Sequence, residues 1–241
     1  MIRLKNVSKY FGEKAALKNI NLEIADGETL AIIGGSGSGK STLLKLMIGL
    51  LKPTEGEIWI DDEEISKMSD DEINRVRLKM GMVFQYSALF DSMTVGENVA
   101  FGLVEHTNFS KEKISAIVRE KLNQVGLENV ENLMPNELSG GMKKRVSLAR
   151  AIAFGPEIIF YDEPSSGLDP VTTNKIDELI ISTQRLLKVT SIVVTHDMIS
   201  ACHIADRIAM VYNGELIAID NVENFKKIND TRVKEFLRGI V

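Results

Sequence analysis

The sequence predicts an α/β protein: a mostly parallel sheet flanked by helices, preceded by antiparallel strands and interrupted by a helical insertion. Three observations carry this prediction. Short, continuously apolar runs such as "ETLAII", "EIIFY" and "SIVVT" recur between helix-like stretches, as strands buried on both faces do. The opening runs "IRLKNV" and "INLEI" instead alternate in polarity with a strand's period of two. From about Ser87 to Glu137 strand runs are absent and amphipathic helices follow one another.

In chain order, the turn-like "FGEK" joins the first two strands as an antiparallel pair. "ETLAII" runs into "GGSGSGKSTLLKLMIGL", so a buried strand leads through a glycine loop into a helix. "KPTEG" is a turn and "EIWIDD" a strand, and "SDDEINRVRLKM" is a helix whose Ser69 and Glu72 have capping-box spacing. "MGMVFQ" is the next strand, with Gln85 at its end. In the insertion, Thr94 and Glu97 open one helix, and "KEKISAIVREKLNQVG" forms another that ends at Gly126. A helix reaching Phe154 is stopped by "GP", and the strand "EIIFYDEP" follows. Asp169 and Pro170 begin another helix before the strand "SIVVTH". Asn213-Gly214 closes a terminal hairpin, and two short helical stretches complete the chain. The expected boundaries are 1–86 with 138–220 for the core and its β subdomain, 87–137 for the helical subdomain and 221–241 for a helical tail.

At 241 residues the chain suits one α/β unit with an insertion. Its formal net charge of -5 supplies no global basic field for nucleic acid or anionic headgroups, so no nucleic-acid partner is expected. Membrane contact is expected through another protein. Cys202 stands alone, the N-terminus carries no apolar leader and no run reaches membrane-spanning length, which places the expected setting in a reducing cytoplasm.

Gly34, Gly35, Ser36, Gly37, Ser38, Gly39, Lys40 and Ser41 fit G-x-x-x-x-G-K-[ST] between a strand and a helix. The glycines let backbone N–H groups wrap phosphates at a helix N-terminus, Lys40 adds a point charge, and the Ser41 hydroxyl reaches Mg²⁺. Thr42 is expected to cap the same turn. Such a loop needs a carboxylate for the metal, and "IIFYDE" supplies Asp162, expected to face Mg²⁺ through water, and Glu163, expected to polarise the attacking water. Tyr161 puts a polar tip where an aliphatic residue is the plain expectation.

"LSGGM" before a helix, a strand ending in "DEP", then "SSGLD" and "VVTHD" resemble, in order and spacing, the ABC-transporter ATPase family over essentially the whole chain. The resemblance implies a RecA-like P-loop core and hydrolysis of Mg-ATP. It also implies that Ser139, Gly140 and Gly141 meet the γ-phosphate held by a second copy, so two cassettes sandwich two ATP molecules head to tail. Gln85 then corresponds to the glutamine tying Mg²⁺ and water to the transmembrane partner, and His196 to the switch histidine. Asp169 corresponds to the loop crossing the dimer interface, and Phe11, with Tyr10 as competitor, to the aromatic that stacks on adenine. Met142 replaces the family's usual glutamine. Lys143, Lys144 and Arg145 are expected to form a solvated helix face on this acidic protein.

"LSGGMKKRVSLARAI", "FYDEPSSGLDP" and "TRVKEFLRGI" are most similar to the Mla-type cassettes of lipid trafficking. That likeness implies an integral-membrane permease met near Gln85 and the helical subdomain, an MCE-domain substrate-binding protein, and a peripheral place on the cytoplasmic face of the inner membrane. Another importer or exporter cassette and a soluble assembly factor are the alternatives; a small-molecule P-loop kinase has no use for "LSGG", "SGLD" and "THD" in this order. Val233, Phe236, Leu237 and Ile240 share a helical face, which either dimerises or packs on the chain's own core.

Overall fold

Two sheets divide the chain, which the computed structural model describes over residues 1–238. Strands β1 (Ile2–Phe11) and β2 (Lys14–Ile24) pair antiparallel in the register Ile2↔Ile24 and Leu4↔Leu22, joined at Gly12-Glu13. All residues of β3 (Thr29–Ile33) are buried, and helix α1 (Lys40–Met47) follows the glycine loop. Next come β4 (Glu55–Ile60), the two-residue β5 (Glu63–Glu64) and α2 (Asp70–Arg77), which opens with the expected Ser69–Glu72 capping box. Strand β6 (Met80–Val83) ends two residues before Gln85, so this glutamine lies in the following loop rather than at the strand's end.

The insertion contains α3 (Val95–His106), opened by the Thr94–Glu97 capping box, and α4 (Lys111–Gln124). Buried Asn98 fastens the loop ahead of α3: Phe90 N–H donates to Oδ1 at 2.8 Å, and Nδ2 donates to the Phe90, Met93 and Thr94 carbonyls. Besides short 3-10 turns at Ile65–Lys67 and Pro135–Glu137, the remaining elements are α5 (Gly140–Ile152), β7 (Ile158–Asp162), α6 (Pro170–Leu187), β8 (Thr190–Val194), α7 (Met198–Ile204), β9 (Arg207–Tyr212), β10 (Glu215–Asn221), α8 (Val222–Phe225) and α9 (Thr231–Leu237). Sequence pattern missed β5 and α7, which are too short to complete a recognisable period.

The smaller sheet has the order β2-β1-β4-β5 and the larger β10-β9-β3-β8-β7-β6. From β9 to β6 every neighbouring pair is parallel, and β10 closes the edge antiparallel. Alternation along the strands feeds separate cores. Ile158, Phe160, Ile192 and Val194 face the small sheet, α1 and α2, whereas Ile159, Tyr161 and Val193 face the insertion, α5 and α6. A third core joins Ala31 and Ile33 to Met210, Phe225, Val233 and Phe236. The tail's described apolar face therefore packs on its own chain; Ile240 lies outside the described residues. Tyr161 fills the second core, where burial raises its pKa against the opposing effect of Ser191.

Candidate functional site

Four adjacent parallel strands deliver their C-terminal ends to one level. Ile32 pairs with Val194, Val194 with Asp162, and Val83 with Tyr161, so Gly34, His196, Glu163 and Gln85 each follow their strand within one or two residues of this line. Loops at the carboxyl ends of parallel strands form the usual ligand crevice of such sheets. At Gly34, φ is +151 and a Cβ would come 2.2 Å from the Val211 carbonyl oxygen; at Gly39, φ is +116 and a Cβ would lie 2.7 Å from that of Ala16. Both positions demand glycine. The Asn213-Gly214 turn braces the same loop, Gly214 N–H donating to the Ser38 carbonyl at 2.9 Å. That bracing role was invisible in the hairpin signal.

Lys40 is buried and its Nζ donates to the carbonyls of Gly34 at 2.7 Å and Gly35 at 3.0 Å. Burial lowers its pKa, with Glu163 and Asp162 opposing. Ser38 Oγ is buried without a hydrogen-bond partner among the described residues, whereas Ser41 is exposed. Gly39 is the N-cap of α1 and no side chain caps it, so the expected Thr42 cap is not present; a residue inside the first turn is past the capping position. Phe11, half exposed, lines a cleft of about 460 Å³ with Gly37, Ser38, Gly39, Lys40, Ser41, Thr42 and the Asn213-Gly214 turn. Tyr10 lines a different depression, beside Lys18 and Glu57.

The acidic pair is divided by its surroundings. Burial, reinforced by Glu163, raises the Asp162 carboxyl, and Lys45, Lys40 and Lys144 oppose the shift. Glu163 Oε2 lies 2.8 Å from His196 Nδ1. Its backbone sits at φ +48, a left-handed conformation that bulky non-glycine residues rarely adopt. Glu163 N–H donates to the Val194 carbonyl at 2.8 Å, and its own carbonyl accepts from Ser166 N–H at 3.2 Å. Gln85 Nε2 donates to Ser166 Oγ at 3.3 Å.

Ser139 caps α5, accepting from Met142 N–H at 3.3 Å, with Gly140 and Gly141 as the first helical residues. A Cβ on Gly141 would stand 2.9 Å from Thr172 Cγ2, so this turn packs directly against the start of α6. Asp169 caps α6 through the N–H groups of Val171 and Thr172, each at 3.0 Å. Met142 is half-buried against the helical core. The basic triplet departs from expectation. Lys144 is only 6 % exposed, and its Nζ donates to the carbonyls of Gln85 and, at 3.4 Å, Glu163. Arg145 Nη1 reaches the Val125 carbonyl at 3.5 Å and the Gly126 carbonyl at 3.4 Å. Composition placed the triplet on a solvated face, but the helix turns two of its members inward, where bare carbonyls await donors.

The family model described as ABC transporter matches residues 17–166, from β2 to the segment after Glu163. The chain belongs to the ABC transporter family. This ABC protein is an ATPase. It is 43% identical to the intermembrane phospholipid transport system ATP-binding protein MlaF of Haemophilus influenzae, over 99% of this chain and 90% of that one. It is 44% identical to the methionine import ATP-binding protein MetN of Carboxydothermus hydrogenoformans, over 90% of this chain and 65% of that one. Among solved structures, a dimeric ATP-binding cassette in a post-hydrolysis state with ADP and Pi matches with TM-score 0.85 and 40% identity, covering 92% of this chain and 99% of that one. The shared architecture is the RecA-like core with its β and helical subdomains anticipated from the motifs.

Proposed function

We propose that this cassette drives an integral-membrane permease that moves phospholipid or a related lipid together with an MCE-domain protein, from the cytoplasmic face of the inner membrane. One observation carries the lipid reading: the alignment with MlaF runs nearly end to end on both sides, 99% of this chain and 90% of that one, whereas methionine-import MetN is covered over 65% of its length at similar identity. Among the described residues no helix is long and apolar enough to cross a membrane, which accords with a peripheral subunit. The permease meets the loop after Gln85 and the helical subdomain. Tyr86 is exposed there, and Leu78, Phe101 and Phe154 line an apolar groove nearby. The proposed units are 1–86 with 138–220, 87–137 and 221–241. The loop at the first boundary supports them; the second falls at the end of the 3-10 turn Pro135–Glu137, and the third at the last pair of β10.

Two copies close head to tail on two ATP molecules, as in the dimeric cassettes among the solved structures. Phe11 stacks on adenine. N–H groups of residues 34–42 and the Lys40 ammonium hold the β- and γ-phosphates, with Ser38 Oγ a buried donor in reserve. Ser41 Oγ, the Gln85 amide oxygen and Asp162 through water are the hard oxygen donors that fit Mg²⁺, which neutralises phosphate charge when bound. Among the described residues no group of three or more His, Cys, Asp and Glu could hold an ion. Glu163 takes a proton from the attacking water, and His196, hydrogen-bonded to it, orients that water and the γ-phosphate. Ser139, Gly140 and Gly141 complete the partner's site at a helix N-terminus, and Asp169 crosses the interface.

The test is to tag the chain in its native host, extract membranes in mild detergent and identify the co-purifying proteins by mass spectrometry. A multi-span permease with an MCE-domain protein is expected. A methionine-type permease would replace the lipid reading, and recovery of soluble partners alone would overturn the permease itself.

A further inference from the structure

We propose that Lys144 is a positioning residue that ties the Ser139–Gly141 turn to Gln85 and Glu163, so that ATP held by one protomer sets the hydrolytic geometry of the other. The inference rests on the head-to-tail dimer described above.

A lysine on a helix surface ordinarily extends its ammonium to water. Lys144 instead keeps its ammonium inside, against two backbone carbonyls. Burying a cation without a directly paired carboxylate is costly: burial lowers the Lys144 pKa, and Glu163 and Asp162 oppose the shift only in part. Those carbonyls belong to Gln85 and Glu163, the two residues that the proposed function sets beside the attacking water. One of them, Glu163, has a backbone in the left-handed region, which persists only when its surroundings hold it.

Helix α5 is unbroken from Gly140 to Ile152, and Lys144 stands about 8 Å along the axis from Ser139. Farther along, Arg150 donates to the carbonyls of Ser87 at 2.8 Å and Ala88 at 2.7 Å, both of which also have positive φ. One rigid rod therefore grips residues 85–88 at two points and Glu163 at a third. When the partner's γ-phosphate seats on the N-terminus of α5, any shift of the rod carries the Gln85 and Glu163 peptide planes with it. The two ATP sites are thereby coupled through a single ammonium.

The experiment uses the complex purified from membranes, with wild-type, Lys144→Met, Lys144→Arg or Ser139→Arg chains, and measures ATPase rate against ATP concentration. The wild-type Hill coefficient is expected above 1. Lys144→Met is expected to lower kcat about 10- to 100-fold, the scale of an ångström-sized misplacement. Its Hill coefficient falls to 1 while Mg-ADP affinity, read by isothermal calorimetry, is unchanged. Lys144→Arg restores both kcat and cooperativity. If Lys144→Met does not fold, as judged by its melting transition, Lys144→Gln takes its place with the same losses expected, since its amide keeps a polar tip but is one bond too short to span both carbonyls. A lost kcat with unchanged cooperativity would reduce Lys144 to a brace and overturn the proposal, as would a wild-type chain with no cooperativity. Ser139→Arg separates the premises: wild-type hydrolysis there sinks the dimer reading itself. An inactive Ser139→Arg chain beside a Lys144→Met chain of wild-type kcat and Hill coefficient sinks only the role of Lys144.

Discussion

Glu163 combines an acid's chemistry with a glycine's backbone angle. Its carboxylate is held by His196, and its peptide by Val194, Ser166 and Lys144, so both the side chain and its backbone are fixed. Glu163→Gln preserves the volume and leaves the phosphate loop intact. Nucleotide binding measured by a fluorescent ATP analogue should be unchanged, while the hydrolysis rate should fall about 10²- to 10⁴-fold, the usual contribution of a positioned base. Hydrolysis near the wild-type rate would remove Glu163 from that role. That these residue types would converge was legible from motif and spacing: glycines where the backbone passes close to its neighbours, a lysine after them, and carboxylates at the end of the adjacent strand. The left-handed φ of Glu163 was not legible, since tertiary hydrogen bonds impose it. Nor was the burial of Lys144, because whether a lysine points inward depends on which carbonyls lie opposite.

Helices α6 and α7 meet at a buried carboxyl. Asp177 Oδ2 accepts from Ser200 Oγ at 2.7 Å, while Oδ1 has no partner among the described residues. Burial raises its pKa, with Ser200 and His203 opposing and Asp197 and Glu178 reinforcing the rise. A carboxyl whose pKa is higher in the fold than in the unfolded chain favours folding below the unfolded value. That stability is lost as pH rises through the folded value. Asp177→Asn should therefore raise the melting midpoint at neutral pH by about 2–4 °C, the shift that roughly 1 kcal/mol gives at this size. The gain should vanish below the unfolded carboxylate range; a gain independent of pH would place its origin elsewhere. Elements long enough to show two periods were legible from sequence. Helix α7 was not, because "MISACHI" is just under two turns and its apolar residues divide between the second and third cores, and β5 is only a two-residue pairing with β4.

Across the whole molecule, three cores share one sheet, and each strand's alternation allots its residues between them. The tail belongs to the smallest core. Phe236, 6 % exposed, and Val233 close over Met210 and Phe225. Phe236→Ala should cost roughly 3 kcal/mol, as removal of a buried aromatic does, read as a lowered denaturant midpoint with an unaltered slope. A tail whose main work is dimerisation would show little loss in the monomer. The broad plan was readable because periodicity, glycine and proline punctuation and motif order agree. The partition of the tail between its own core and a partner was not, since an apolar stripe does not name what covers it.

The order of the large sheet also has a consequence for biosynthesis. Strand β3, which carries the phosphate loop, leaves the ribosome early, yet both its neighbours, β8 and β9, begin only at Thr190 and Arg207. Throughout most of translation its five buried residues have no lateral hydrogen-bond partners, so the nascent chain presents an adhesive edge in need of a chaperone or rapid completion. Ribosome pausing before residue 190 should therefore convert this protein into aggregate, while a pause after β9 should be tolerated.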